Sequence, residues 1–231
     1  MKTAVILGVG GLGCPAALAL AEDVRSVRLV LVDPDRVDRT NLARQILFSE
    51  KDVGEAKAIA AARRLVELVP GTRIEPRVLS LTAATAPQLL ADCDVLVDGT
   101  DTFEARFAAN DAACAARVPL VHGAVLGWRG QILTVVPGRG SCLRCLFEAP
   151  PPAGAVPTCA EAGVFSPLCG VVGVAMASEA ALLLGRERPR WMARLHQWDA
   201  LRGTERDVGV PADPRCPACA VAPVPVLRHP E

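Results

Sequence analysis

The run Gly8-Val9-Gly10-Gly11-Leu12-Gly13 constrains this chain more than any other six residues in it. It follows a β-rich apolar stretch, residues 4–7, and opens a helical one, residues 14–22. In that setting the G-x-G-x-x-G pattern marks a strand–turn–helix unit. Its glycines permit a tight turn and close approach of the backbone to a phosphate, and the unpaired N–H groups of the first helical turn face that phosphate. Asp33 lies twenty residues further on, at the end of a second β-rich run over 27–32, where a carboxylate can accept from both ribose hydroxyls. The combination predicts an adenine nucleotide without saying which one, because NAD(P)-dependent oxidoreductases use the same device.

The pattern repeats along the chain. Residues 55–69 place Ala58, Ala62, Leu65 and Val69 on one helical face, and Pro70-Gly71 ends it. Further strands are predicted at 73–79, 95–97 and 120–125, with a helix over 103–116 before the last. Strand–helix alternation of this kind gives a Rossmann-like α/β fold, a mostly parallel sheet with helices on both faces. After residue 140 the texture changes: residues 141–169, with a Pro- and Ala-rich stretch at 149–157, read as a crossover loop. An apolar helix over 170–184 and a strand pair near 194–198 and 204–208 follow. The helix is short for a membrane span and includes Glu179, so burial in a soluble core is expected. Residues 1–209 form one domain in this reading, and 210–231 a C-terminal tail.

Charge narrows the partners. The 25 basic and 25 acidic residues balance, so no net basic field draws in a phosphate backbone, and a nucleic-acid partner is not expected. A membrane partner is not expected either. Nine cysteines, in a chain that opens on a short strand rather than a leader, point to a cytoplasmic protein and to metal rather than disulfides. Cys142-Leu143-Arg144-Cys145 and Cys216-Pro217-Ala218-Cys219 supply four thiolates for a tetrahedral Zn²⁺ site. Their separation of about seventy residues implies that zinc pins the tail to the main domain. A dithiol redox pair is the other chemistry open to such motifs.

The residues after Asp33 separate the two nucleotides. Asp35, Asn41, Arg44 and Gln45 are followed by Lys57 at a helix start. A dinucleotide needs no cations beyond the helix N-terminus, whereas nucleotidyl transfer from ATP must stabilise a triphosphate and a departing pyrophosphate. That calls for Arg, Lys and Mg²⁺, and Arg44 and Lys57 suit the role.

Taken in order, Gly8 to Gly13, Asp33-x-Asp35, Asn41-Leu42-x-Arg44-Gln45, Val53-Gly54-x-x-Lys57 and Gly99-Thr100-Asp101 closely resemble the ThiF/MoeB/HesA family of ubiquitin-activating-enzyme-like proteins. Gly123-Ala124, Gly130-Gln131, Thr158-Cys159-x-Glu161-Ala162-Gly163 and the cysteine pairs continue the resemblance over nearly the whole chain. It implies an adenylyltransferase that joins ATP to the C-terminal Gly-Gly carboxylate of a ubiquitin-like sulfur-carrier protein. It also implies that Gly8, Gly10, Gly11, Gly13, Asp33, Asp35, Asn41, Arg44, Gln45, Lys57, Asp101 and Thr102 hold the nucleotide, and that Asp101 holds Mg²⁺. Thr102 stands where the family more often has Asn. Some relatives use the cysteine at the position of Cys159 to take the activated carrier covalently. Homodimers, and a sulfurtransferase or cysteine desulfurase as further partner, belong to the same implication. Relatives usually begin with a helix whose arginine reaches the neighbouring subunit's ATP. This chain starts at the first strand, so either another arginine, with Arg106 and Arg129 as candidates, substitutes, or a different partner supplies one, or adenylation is slow or lost and the chain is a catalytically weak nucleotide- or carrier-binding scaffold. Trp128 is a candidate for lining the carrier's path. His122 is expected to be a satisfied interior histidine, and His196 and His229 offer no constellation.

Overall fold

In the strands the side chains sort by parity. Ala4 and Ile6, Leu29 and Leu31, Val95 and Val97 enter one apolar cluster, while Val5 and Leu7, Val30 and Val32, and Leu96 enter the other. A strand buried on both sides needs apolar residues at every position, which is why these runs are continuous rather than alternating. The computed structural model, described here for residues 1–23, 27–152, 154–157 and 159–220, realises this as one eight-stranded sheet of order β3-β2-β1-β4-β5-β6-β7-β8. The strands β1 (Lys2–Leu7), β2 (Val27–Val32), β3 (Arg73–Arg77), β4 (Val95–Asp98) and β5 (Leu120–Leu126) pair in parallel. The strands β6 (Arg129–Val135), β7 (Arg194–Asp199) and β8 (Thr204–Gly209) continue the sheet antiparallel. The expectation of a mostly parallel α/β sheet holds, with an antiparallel wing of three strands.

Helices cover both faces. On the face of the first cluster lie α1 (Gly13–Asp23), α2 (Lys57–Leu68) and α7 (Ser166–Leu184). On the other lie α3 (Ala86–Leu90), α4 (Phe103–Ala116) and the short α5 (Leu143–Leu146). A further short helix, α6 (Cys159–Ala162), lies in the crossover. The crossover expected over 141–169 is therefore not a simple loop: α5 and α6 interrupt it, and α7 begins inside it at Ser166.

Helix α7 meets the length and composition of a membrane span, but half of its apolar window is buried on the sheet. Its closeness to α1 is set by Gly173, where an added Cβ would stand 2.5 Å from Pro15 Cγ and 2.6 Å from the Leu12 carbonyl oxygen. The carboxylate of Glu179 is fully buried in the same helix and accepts from Thr134 Oγ1 at 2.6 Å, Arg190 N at 2.8 Å and Trp191 N at 3.2 Å. Three donors lose their acceptor if it is removed, and each orphaned buried group costs about 1–3 kcal/mol. Glu179→Ala is accordingly expected to lower unfolding stability by about 3 kcal/mol or more, read as a lower urea midpoint at unchanged slope. Glu179→Gln, which keeps one acceptor, should recover part of the loss. An unchanged midpoint for the alanine variant would mean the clamp contributes nothing.

Candidate active site

Strand β1 continues into α1 on one side, while β4 lies on its other side and continues into α4. The crossovers thus diverge at the C-terminal ends of β1 and β4, and a crevice opens there. Two glycines make the turn possible. Gly8 sits at φ +77, and a Cβ on Gly13 would stand 1.9 Å from the Gly8 carbonyl oxygen. Gly8, Gly10 and Gly11 border a cavity of about 340 Å³, whereas Gly13 does not border it and acts through close packing. A wider, open depression of about 1030 Å³ lies by the opposite ends of the strands, around Met1, Lys2 and Asp94, and contains no such loop.

Asp33 is 3% exposed, and both its oxygens are already engaged: Oδ2 accepts Val9 N–H at 2.7 Å and Oδ1 accepts Asp35 N–H at 2.8 Å. Burial pushes its carboxyl above the usual range, opposed by Lys57 and these two donors. The remaining lone pairs are what a ribose can use. Lys57, at the start of α2, is 8% exposed and pairs through Nζ with the outward-facing Asp35 at 2.9 Å.

Arg44 is held differently. It donates to Asn41 Oδ1 and, at 3.5 Å, to the Thr40 carbonyl, and its aliphatic stem lies against Gly11. Asp38 accepts from Thr40 and braces the turn, Arg39–Asn41, that carries Asn41. Arg106, in the first turns of α4, donates from Nε to the Thr100 carbonyl at 3.1 Å and lies over the Phe103 ring. Both arginines border the cavity, and among the described residues neither has a carboxylate within ion-pair distance. Their charge is fixed in place by neutral acceptors and stays available to an anion. Arg129 does not border the cavity; it stands 4.0 Å from Asp199.

Asp101 is exposed at the cavity's edge and makes no side-chain hydrogen bond among the described residues. The cap of α4 is Thr102, whose hydroxyl accepts Ala105 N–H at 3.2 Å, so Asp101 is free of that duty. The turn before it is held from below by Asp98, which accepts from Thr100 N and Oγ1 and faces His122 Nδ1 at 2.8 Å. Burial opposes ionisation of Asp98, but the hydrogen bonds from His122 and Thr100 outweigh it and hold the carboxyl below its ordinary range. His122 is thereby a satisfied interior residue. Gln45 is 3% exposed, and its Oε1 has no hydrogen-bond partner among the described residues. Its Nε2 faces Gly10, leaving an orphaned acceptor beside the loop.

Sequence reading missed several neighbours of the cavity. Leu79, Ser80 and Leu81 after β3 form a wall without any periodic signal. Cys169 also borders it, with Sγ 3.4 Å from where a Gly11 Cβ would be. Cys14 behind the loop is inert, its thiol pushed up to about 12 by burial. Trp128 is half exposed and stacks on Phe165 at 4.3 Å. The neighbouring Val164 borders the cavity and bridges to Gly127. His196, which offers no constellation in the sequence, contacts Asp207 at 2.6 Å and Glu205 at 3.4 Å and is enclosed by Trp191 and Trp198. For Cys159 the backbone lies in α6; His229 lies outside the described residues.

Away from the cavity, Cys142, Cys145, Cys216 and Cys219 bring their four sulfurs within 4.8 Å of one another. The Cys142–Cys216 and Cys145–Cys219 separations are 3.6 and 3.4 Å. Those are far beyond a disulfide of ~2.05 Å and near the ~3.8 Å edge of a tetrahedron with Zn–S of ~2.3 Å. A hydrogen bond from Cys114 holds the Cys142 thiol down to about 4 against its burial, while burial pushes Cys216 and Cys219 up. The cluster suits zinc.

Fold and loop together define a nucleotide-binding α/β protein. The chain belongs to the ThiF family, whose model matches residues 2–218. It is 43% identical to a sulfur carrier protein adenylyltransferase of Thermus thermophilus over 95% of this chain and 82% of that protein. It is 41% identical to a SAMP-activating enzyme E1 of Haloferax volcanii over 93% of this chain and 79% of that one. With the adenylyltransferase and sulfurtransferase MOCS3 of Sus scrofa the identity is 40%, over 95% of this chain but only 48% of the larger protein. Among solved structures, E. coli MccB with ATP superposes with a TM-score of 0.82 at 22% identity, over 94% of this chain and 66% of that one, a likeness of fold.

Proposed function

We propose that this chain adenylates the C-terminal Gly-Gly carboxylate of a ubiquitin-like sulfur-carrier protein, using ATP and releasing pyrophosphate. The observation that carries the proposal is the pair of arginines, Arg44 and Arg106, without a carboxylate partner among the described residues, set beside Lys57 behind a phosphate-type glycine loop. A dinucleotide has no need of them; a triphosphate does.

In the reaction a carboxylate oxygen of the carrier forms a bond to the α-phosphorus, and the bond from that phosphorus to the bridging oxygen of pyrophosphate breaks. No general base is required, since the attacking acid is ionised at neutral pH. The residues' work is positioning and charge neutralisation. Arg44 and Arg106 face the phosphates, Lys57 exchanges Asp35 for a phosphate oxygen, and the glycine loop offers its N–H groups. Asp101, unpartnered and exposed at the edge, fits a hydrated divalent cation. Mg²⁺ held there supplies further neutralisation of the leaving group. The orphaned Gln45 oxygen supports a hydroxyl or ammonium donor nearby, such as the nucleoside.

The proposal extends to zinc in the four-sulfur site, to a cytoplasmic setting that keeps its thiols reduced, and to a sulfurtransferase or cysteine desulfurase acting on the activated carrier. A homodimer is supported by the outward face of α7, where Val171 and Val174 are half exposed one turn apart.

The test is isotope exchange. Labelled pyrophosphate should enter ATP only when the chain, Mg²⁺ and a carrier ending in Gly-Gly are all present, and removal of the carrier's last glycine should stop it. Carrier binding without exchange would select the scaffold reading instead, and carrier-independent nicotinamide reduction would select the oxidoreductase.

A further inference from the structure

Helix α4 does two things at once. Its first turns border the cavity through Thr102, Ala105 and Arg106. Its later turns grip the first cysteine knuckle through Phe107, Asn110, Asp111 and Cys114, spaced so that they share one face. Arg144, inside the knuckle, makes a two-pronged pair with Asp111, both contacts at 2.7 Å, and lies over the Phe107 ring. Asn110 has no exposure at all. Its Oδ1 accepts Leu143 N–H at 2.9 Å, and its Nδ2 donates to the Cys142 sulfur at 3.7 Å. That second bond is the telling one. A buried amide aimed at a sulfur stabilises the thiolate form that a metal requires, and groups that hydrogen-bond metal ligands set how firmly the metal is retained.

We propose that Asn110 is a positioning residue of the four-sulfur site: through one amide it fixes the backbone after Cys142 and donates to the Cys142 sulfur, so that α4 determines where that ligand meets the metal and how tightly the metal is held. Within the knuckle the backbone of Arg144 also serves the Cys142 sulfur, but the buried side-chain amide comes from α4. The C-x-x-C spacing brings two sulfurs together, but the orientation of the first is imposed from a helix more than thirty residues earlier. The inference rests on the reading of the cluster as a zinc site.

The experiment compares the full chain with its Asn110→Ala and Asn110→Asp variants. Zinc content is measured first. Release of zinc to a chromogenic chelator is then timed, and the absorption of the cobalt(II)-substituted proteins is recorded. Both variants should release zinc about 10–100-fold faster, the range found when partners of metal ligands are removed. The sulfur-to-cobalt charge-transfer band should also move, because the sulfur has lost a donor, and a purely structural role would not move it. If Asn110→Ala does not fold, Asn110→Asp carries the test, since it keeps an acceptor for Leu143 N–H while removing the donor. Wild-type release rates with an unmoved band in a folded variant would overturn the role of Asn110. A wild-type chain that binds no zinc would instead overturn the zinc reading, and this inference with it.

Discussion

Asp101→Ala is expected to lower carrier-dependent pyrophosphate exchange by about 10²–10³-fold, with Lys57→Ala falling in the same range, the usual consequence of removing one preorganised charge partner from a transition state. The structural background makes the first variant clean. Asp101 is exposed, hydrogen-bonds no side chain or backbone among the described residues, and leaves the capping of α4 to Thr102. Its loss should leave the melting temperature where it was. Among the described residues Lys57 is ion-paired with the largely exposed Asp35, but Lys57 is itself buried and offsets the burial of Asp33, so its alanine variant is expected to lose some stability as well. Exchange at wild-type rates in both variants would remove Asp101 and Lys57 from the machinery. A collapse in melting temperature would show that they act through the fold.

With zinc in the four-sulfur site, as proposed, stripping it should be the largest perturbation of stability. Cys216 is 2% exposed and, with Val210, belongs to the same apolar cluster as Leu133 and Leu195. Releasing it therefore opens a face of the antiparallel wing as well as the tail. A ligand held about a thousandfold above its dissociation constant contributes about 4 kcal/mol. For a chain of this size that corresponds to a melting shift on the order of 10 °C. Chelation, or Cys216→Ser, is expected to produce that shift and to expose the chain near residue 210 to protease. Complete metal loss with an unchanged melt and cleavage pattern would mean the cysteines hold nothing together.

The parallel half of the sheet was legible because its strands are buried on both faces and read as unbroken apolar runs. The antiparallel wing was less so. β6 begins Arg129-Gly130-Gln131, and the turn before it, at Gly127 with φ +55, lacks the usual paired turn residues. Helix α7 starts four residues before its expected position because Pro167 looks like a breaker. Pro at the first helical turn removes only an N–H that would have had no partner. The environment of His196 was unreadable for another reason: its partner Asp207 comes from the facing strand, and hairpin register decides that contact. At the site, the glycine loop, Asp33 and Lys57 could be placed from spacing, since each sits at the end of a regular element; Arg44 lies in a turn beyond Arg39–Asn41, and only the family resemblance pointed to its place. What spacing could not convey was partnership. That Arg44 leans on neutral acceptors while Lys57 is held by a carboxylate is a fact of side-chain geometry.

The grip of Asp33 on Val9 N–H bears on how a nucleotide is met. A turn tied down by a buried carboxylate surrenders its conformational entropy when the chain folds, long before any visitor arrives. Little of the binding energy is then diverted to ordering the loop, and what remains can go into gripping a reacting phosphorus more firmly than a resting one.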